Sequence, residues 1–254
     1  MKVSALLLDL DGTLYVGDSP LPGAVEAVRA LAERGIPMLF LTNTTRRSRR
    51  SLARWLEARG FSVREEALFT VSMAAARWLE RERVRRVALY VPEGAVEDFA
   101  ALTRDEETPE AIVVGDLGDR WSFALLNRAF HQVMAGARLV ALQKNRYWVT
   151  EHGLTLDAGP FVVALEYATG TQAAVVGKPS PAFFQMATAG LGVPAEEVAV
   201  VGDDVDADIA GARAAGHRAI LVRTGKFRED RLRASASQPD VILGSIAELP
   251  DLIG

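Results

Sequence analysis

Short, almost wholly apolar runs alternate along this chain with amphipathic stretches, and no other feature constrains its fold as strongly. "VSALLLDL" (3–10) is followed by "AVEAVRALAERG" (24–35), "PMLFLTN" (37–43) and a helical stretch that ends at Gly60. Near the C-terminus the rhythm returns as "AAVVG", "PAFFQMATAGLG", "EVAVVGDD", "ADIAGARAAG", "RAILVRTG" and "DVILG". A strand that is apolar at successive positions needs cover on both faces, and strand-helix-strand order produces crossovers that pair strands in parallel. The expected fold is α/β, with a Rossmann-like parallel sheet as its core.

The middle of the chain carries the same rhythm independently. Strands are expected at "RVALYV", "AIVVGD" and "RLVALQ", helices at "AVEDFAAL", "FALLNRAFHQVMAG" and "FVVALEYATG", and a polar break at "TRDEETPE". This predicts a discontinuous core of residues 1–79 and 177–254, with a second α/β domain, 80–176, inserted into it.

Composition removes several classes of function. The 254 residues are 49% hydrophobic and contain no cysteine, so a core is affordable while disulfides, thiolate metal sites and a thiol nucleophile are excluded. No apolar run reaches 18 residues, and the acids at 9 and 11 interrupt the N-terminal one early, which predicts a soluble, cytoplasmic protein with no membrane partner. The basic run "TTRRSRRSLARWLEARG" contains Arg46, Arg47, Arg49, Arg50 and Arg54, but Leu52, Trp55 and Leu56 follow helical spacing and the net charge is -4. A solvated helix face explains it, and no nucleic-acid partner is expected.

Polar residues stand where apolar strands stop: Asp9 and Asp11, Thr42 and Asn43, Lys178, and Asp203 and Asp204. Any one of them alone would serve as a helix cap or turn former. In an open parallel sheet, however, ligands bind outside the carboxyl ends of the strands, where such groups converge. Converging acids form a hard-oxygen site suited to Mg²⁺, with Asp9 and Asp203 as the natural ligands. Two like charges about 4 Å apart cost on the order of 4 kcal/mol at an effective dielectric near 20, which a divalent ion would offset. Lys178 and Thr42 suit phosphate oxygens. The other common devices are missing: "GTQAAVVGKP" fails as a phosphate loop, no "GxSxG" occurs, and His131, His152 and His217 lack metal-ligand spacing. A carboxylate is left as the best nucleophile.

"DLDGTLY", "LTNT", "GKPSP" and "VGDDVDAD", in this order, resemble the four motifs of the haloacid dehalogenase (HAD) superfamily. The insertion resembles the α/β cap of its subfamily IIA. "ALEYATG", "VVGKPSPAFF" and "VRTGKFR" are similar to the branch that holds the phospholysine phosphohistidine inorganic pyrophosphate phosphatases. The resemblance implies a Mg²⁺-dependent phosphatase acting on small phosphorylated metabolites through an aspartyl-phosphate. Asp9 would be nucleophile and metal ligand. Asp11 would be the acid and base, with its carbonyl on the metal. Thr42, Asn43 and Lys178 would hold phosphate, Asp203 would complete the metal shell, and Asp204 and Asp208 would fix its waters. Members of that branch often carry Ser at the position of Asp11, so this chain is expected to favour ordinary phosphomonoesters. The cap loop "QKNRYW" offers Lys144, Asn145, Arg146 and Tyr147 as specificity residues, with cap core as the alternative place for Tyr147 and Trp148. A homodimer is expected by family analogy alone. A haloacid dehalogenase and a non-catalytic phosphate-binding module are the competing functions.

Overall fold

The computed structural model describes residues 2–45, 47–150 and 153–253, the side chains of 148–150 excepted. Arg46 of the basic run, the Trp148 side chain and His152 lie outside the described residues. The chain divides into two compact units: Met1–Thr42, Arg50–Phe69 and Lys178–Gly254 in one, Asn43–Arg49 and Thr70–Gly177 in the other. The first crossing into the long insertion falls one helix earlier than 79/80. The helix Val71–Arg81 packs against the turn Glu97–Phe99, and the hydroxyl of Thr70, which caps it, donates to Asp98 at 3.3 Å.

In the first unit a six-stranded sheet runs in the order Val241–Leu243, Arg218–Val222, Val198–Gly202, Ala5–Asp9, Met38–Thr42, Leu68–Thr70. Pairing is parallel from Val241–Leu243 through to Met38–Thr42, with Leu8 opposite both Val201 and Phe40. Leu6, Leu7 and Leu8 are wholly buried, each contributing about 1.5–3 kcal/mol of burial. The helix Ala24–Glu33 turns Ala24, Ala27, Val28 and Leu31 inward, a single stripe at helical spacing, onto the face that carries Leu6 and Leu8. From Ala5–Asp9 the chain reaches Met38–Thr42 on one side and later Val198–Gly202 on the other. The strand order therefore reverses beside Ala5–Asp9, and a crevice opens at that place between strand ends.

The second unit has a parallel five-stranded sheet in the order Ala174–Val175, Arg138–Ala141, Ala111–Val114, Arg86–Tyr90, Thr103–Arg104. Helices Phe123–Met134 and Ala158–Thr169 cover one face, packing Ala129, Val133, Val162 and Leu165 against Ala88, Ile112 and Leu139. Two expectations change here. "AVEDFAAL" is not one regular helix: it begins inside a short α-turn, Glu93–Val96, continues as a tighter turn, Glu97–Phe99, and buries only Ala95 and Phe99 in these two turns. "QKNRYW" is only partly loop: Tyr147–Thr150 pairs antiparallel with Gly153–Leu156. Glu151 and His152 between them carry no turn signature that would have announced a hairpin. No helix among the described residues is long and apolar enough to cross a membrane.

Candidate active site

Asp9 is the last residue of the central strand, and the backbone after it is tightly wound. The carbonyl of Leu10 accepts from the N–H groups of Thr13 and Leu14 at 3.3 and 2.8 Å, and Gly12 donates to the carbonyl of Tyr15 at 2.7 Å. Gly12 sits at φ +92°, and a Cβ there would come within 2.0 Å of Asp203 Oδ2, so both the conformation and the space require glycine. The Thr13 hydroxyl donates to Asp9 Oδ2 at 3.2 Å, and Lys178 Nζ donates to Asp9 Oδ1 and, at 2.6 Å, to Asp208 Oδ1.

The fourth motif supplies two acids through a local irregularity. Val198–Gly202 ends at Asp203, and Asp204 then caps a wide π-turn over Val205–Ile209. The Asp204 carbonyl accepts from both Asp208 and Ile209 N–H groups, at 2.9 and 3.3 Å. This widening carries the Asp208 carboxylate back over the strand end, where it accepts from Asp204 N–H at 3.1 Å. A Cβ on Gly202 would stand 2.3 Å from the Asp208 carboxyl carbon, so this glycine makes the return possible.

Asp9, Asp203 and Asp208 each offer an oxygen within 4.8 Å of the others, and all three are buried. Burial, then repulsion from Asp9 and Asp208, pushes Asp203 up to about 8. Burial likewise lifts Asp208 to about 6; Lys178 opposes the shift, while Asp9 and Asp204 add to it. Burial alone would lower the pKa of Lys178, but Asp208 and Asp9 outweigh it, so the ammonium stays charged. With all groups ionised, three buried carboxylates face one buried ammonium, with Lys226 acting on them from the solvent side, an imbalance that a divalent cation would correct. The donor set, all carboxylate oxygen, fits Mg²⁺.

A pH prediction follows for the metal-free protein. From roughly pH 4 the native state holds protons that the unfolded chain has released, on Asp208 up to about pH 6 and on Asp203 up to about pH 8, so stability falls as pH rises through that window. In EDTA the unfolding midpoint should drop by several degrees from pH 5 to pH 8, and Mg²⁺ should flatten the drop. A flat or rising midpoint in EDTA would contradict this electrostatic reading.

The remaining expected residues fall into separate places. Asp11 keeps part of its surface in solvent and does not join the three-acid group; loss of hydration at its carboxyl raises its pKa, while Lys226 and then Lys178 pull it down. Thr42 is buried at the end of Met38–Thr42 in the same unit, whereas Asn43 opens a segment of the second unit. Asp208, expected to act on waters, stands inside the carboxylate group. Asp204 accepts from the N–H groups of Asp206 and Ala207 at 2.9 and 3.0 Å. In the second unit Lys144 pairs with the buried Glu166 at 2.8 Å, and the Asn145 N–H donates to the Gln143 side chain. Arg146 is exposed, and Tyr147 is 53% exposed, so it is no core residue. Sequence reasoning passed over Thr224, Gly225 and Lys226, which lie beside Gly12 and Asp203. They stand within "VRTGKFR", which marked the resemblance but, offering no carboxylate, gave no chemical signal.

Comparison with known proteins bears on this geometry. Residues 6–103 match the family described as haloacid dehalogenase-like hydrolase, and 175–249 match a second one described as HAD-hydrolase-like. Bovine haloacid dehalogenase-like hydrolase domain-containing protein 2 is 42% identical over 91% of this chain and 89% of its own length. The human phospholysine phosphohistidine inorganic pyrophosphate phosphatase is 36% identical over 99% of this chain and 94% of its own. Among solved structures, the glycerol phosphate phosphatase of Mycobacterium tuberculosis in complex with magnesium superposes with a TM-score of 0.89 at 32% identity, covering 100% of this chain and 79% of that one. A parallel α/β core interrupted by a second α/β unit, carrying this likeness along nearly its whole length, belongs to the haloacid dehalogenase-like hydrolases.

Proposed function

We propose that the protein is a Mg²⁺-dependent phosphatase that hydrolyses small phosphorylated metabolites through an aspartyl-phosphate. The observation that carries this reading is the buried group of Asp9, Asp203 and Asp208 at the strand-order reversal, served by one buried ammonium, Lys178. The phosphatase names of the relatives and the magnesium in one of them support it.

Asp9 and Asp203, with the Asp11 carbonyl, would hold Mg²⁺, which when bound offsets the charge of the carboxylates and of the phosphate. Asp208, its oxygens engaged by Lys178 and the Asp204 N–H, would fix the waters of the ion. Asp9, oriented by Lys178 and Thr13, attacks phosphorus, and the bond to the leaving oxygen breaks. Asp11 gives that oxygen its proton; a raised pKa keeps a larger share of the carboxyl protonated for this step. Asp11 then takes a proton from the water that attacks the aspartyl-phosphate, releasing phosphate and restoring Asp9. Thr42, Asn43 and Lys178 hold the phosphate oxygens, and Asp204 shapes the turn that presents Asp208. On the cap, Arg146 and Tyr147 are the more exposed specificity residues, since the side chains of Lys144 and Asn145 are engaged with Glu166 and Asp157. The acid at position 11 favours ordinary phosphomonoesters.

The test is phosphate release from 4-nitrophenyl phosphate and a panel of phosphorylated metabolites, with Mg²⁺ and with EDTA. Mg²⁺-dependent release is expected. Chloride release from 2-haloacids without phosphatase activity would favour a dehalogenase, and calorimetric binding of Mg²⁺ and phosphate without turnover would favour a binding module.

A further inference from the structure

We propose that the turn Thr224-Gly225-Lys226, which follows the strand Arg218–Val222, positions the carboxylate group for its cation by tying Asp203 to the loop after Asp9. The proposal rests on the reading that these carboxylates hold Mg²⁺.

Three contacts join the turn to both halves of the site. The Thr224 hydroxyl donates to the carbonyl of Gly12 at 2.5 Å, and the Lys226 N–H donates to Asp203 Oδ2 at 2.6 Å. Between them Gly225 adopts φ +55°, and a Cβ there would lie 2.0 Å from Asp203 Oδ2 and 2.4 Å from the Gly12 Cα. Asp203 Oδ2 is thus walled by two glycines, one from each loop, and held by a main-chain donor. The turn itself is closed by Phe227 N–H donating to the Thr224 carbonyl at 3.0 Å.

Such a clamp has a physical task here. Without a cation, Asp203 is repelled by Asp9 and Asp208, and an unheld carboxylate would rotate away. Fixing one of its oxygens from the main chain keeps the side chain aimed before the ion arrives, so binding carries less cost of reordering. Thr224 is a positioning residue in this scheme: it touches neither cation nor substrate and acts through the Gly12 carbonyl. The ammonium of Lys226 reaches solvent and lies in the field of Asp203, Asp204, Asp9 and Asp11. The clamp, however, uses only the N–H of this residue.

The test is calorimetric titration of the metal-free full chain with MgCl₂, without substrate, for wild type, Thr224→Val and Thr224→Ser, with thermal melts of each to verify folding. Thr224→Val should weaken Mg²⁺ affinity about tenfold or more, while Thr224→Ser, which keeps the hydroxyl, should stay within about threefold of wild type. In turnover, saturating Mg²⁺ should restore most of the kcat of Thr224→Val with little change in KM. An affinity for Thr224→Val within about twofold of wild type, or an equal loss in Thr224→Ser, would overturn the proposal. If Thr224→Val does not fold, Thr224→Ala is judged by the same criterion. A wild type that takes up no Mg²⁺ would refute the metal reading itself.

Discussion

Asp9→Asn is expected to lower Mg²⁺-dependent phosphate release about 10³-fold or more, with the metal-free protein at least as heat-stable as wild type. The amide keeps the size and one oxygen of the carboxylate, so the strand end and its packing survive, but it cannot form an acyl-phosphate with a comparable nucleophile. Stability should move the other way because Asp9 is the largest charge-based cause of the raised pKa of Asp203 and also raises that of Asp208. Removing its charge relieves repulsion that Lys178 only partly offsets. Phosphate release, covalent capture of the phosphoryl group and a melt in EDTA decide the matter together. Residual activity within about tenfold of wild type would remove Asp9 as nucleophile.

The convergence of the site was legible because parallel strands end on one edge. Asp9, Thr42 and Asp203 are far apart in sequence, yet each ends or follows a strand in one sheet, with Asp9 opposite Leu41 and Leu8 opposite Val201. Lys178 does not end a strand of this sheet, as its place after "AAVVG" suggested: the strand before it, Ala174–Val175, pairs in the second unit's sheet, and it is the buried ammonium itself that meets two carboxylates. What the sequence concealed works through geometry rather than side-chain chemistry. Gly225 matters for the Cβ it lacks and Lys226 for its N–H, and neither leaves a mark on hydropathy or charge pattern. The place of Asp208 inside the carboxylate group depends on a π-turn, which adds a residue to the helical turn without any compositional signature. In the cap, the pairing of Lys144 with Glu166 joins two elements 22 residues apart, so a cation that looked free for substrate is already engaged.

Lys178→Met should be the most destabilising single change at the site, lowering the stability of the unit that contains it by about 3–5 kcal/mol, as expected when one partner of a buried ion pair is removed. Methionine nearly matches lysine in volume, so the effect isolates charge from packing. Lys178 is 5% exposed and bridges Asp9 and Asp208, which are also buried. Its loss leaves three carboxylates together in a poorly hydrated place. For a chain of this size each kcal/mol moves the unfolding midpoint about 2–4 °C, so the melt in EDTA at pH 7.5 should fall about 6–20 °C. Two conditions should recover part of that loss, and they separate this account from a packing defect. Mg²⁺ supplies positive charge at the same carboxylates. Acidification to pH 5 protonates Asp203 and Asp208, whose pKa values stand at about 8 and about 6 even with Lys178 present, and that of Asp208, which Lys178 holds down, would rise further without it. A midpoint unchanged within about 2 °C, or a loss that neither Mg²⁺ nor acid relieves, would show that Lys178 does not balance the carboxylates in the way its contacts imply.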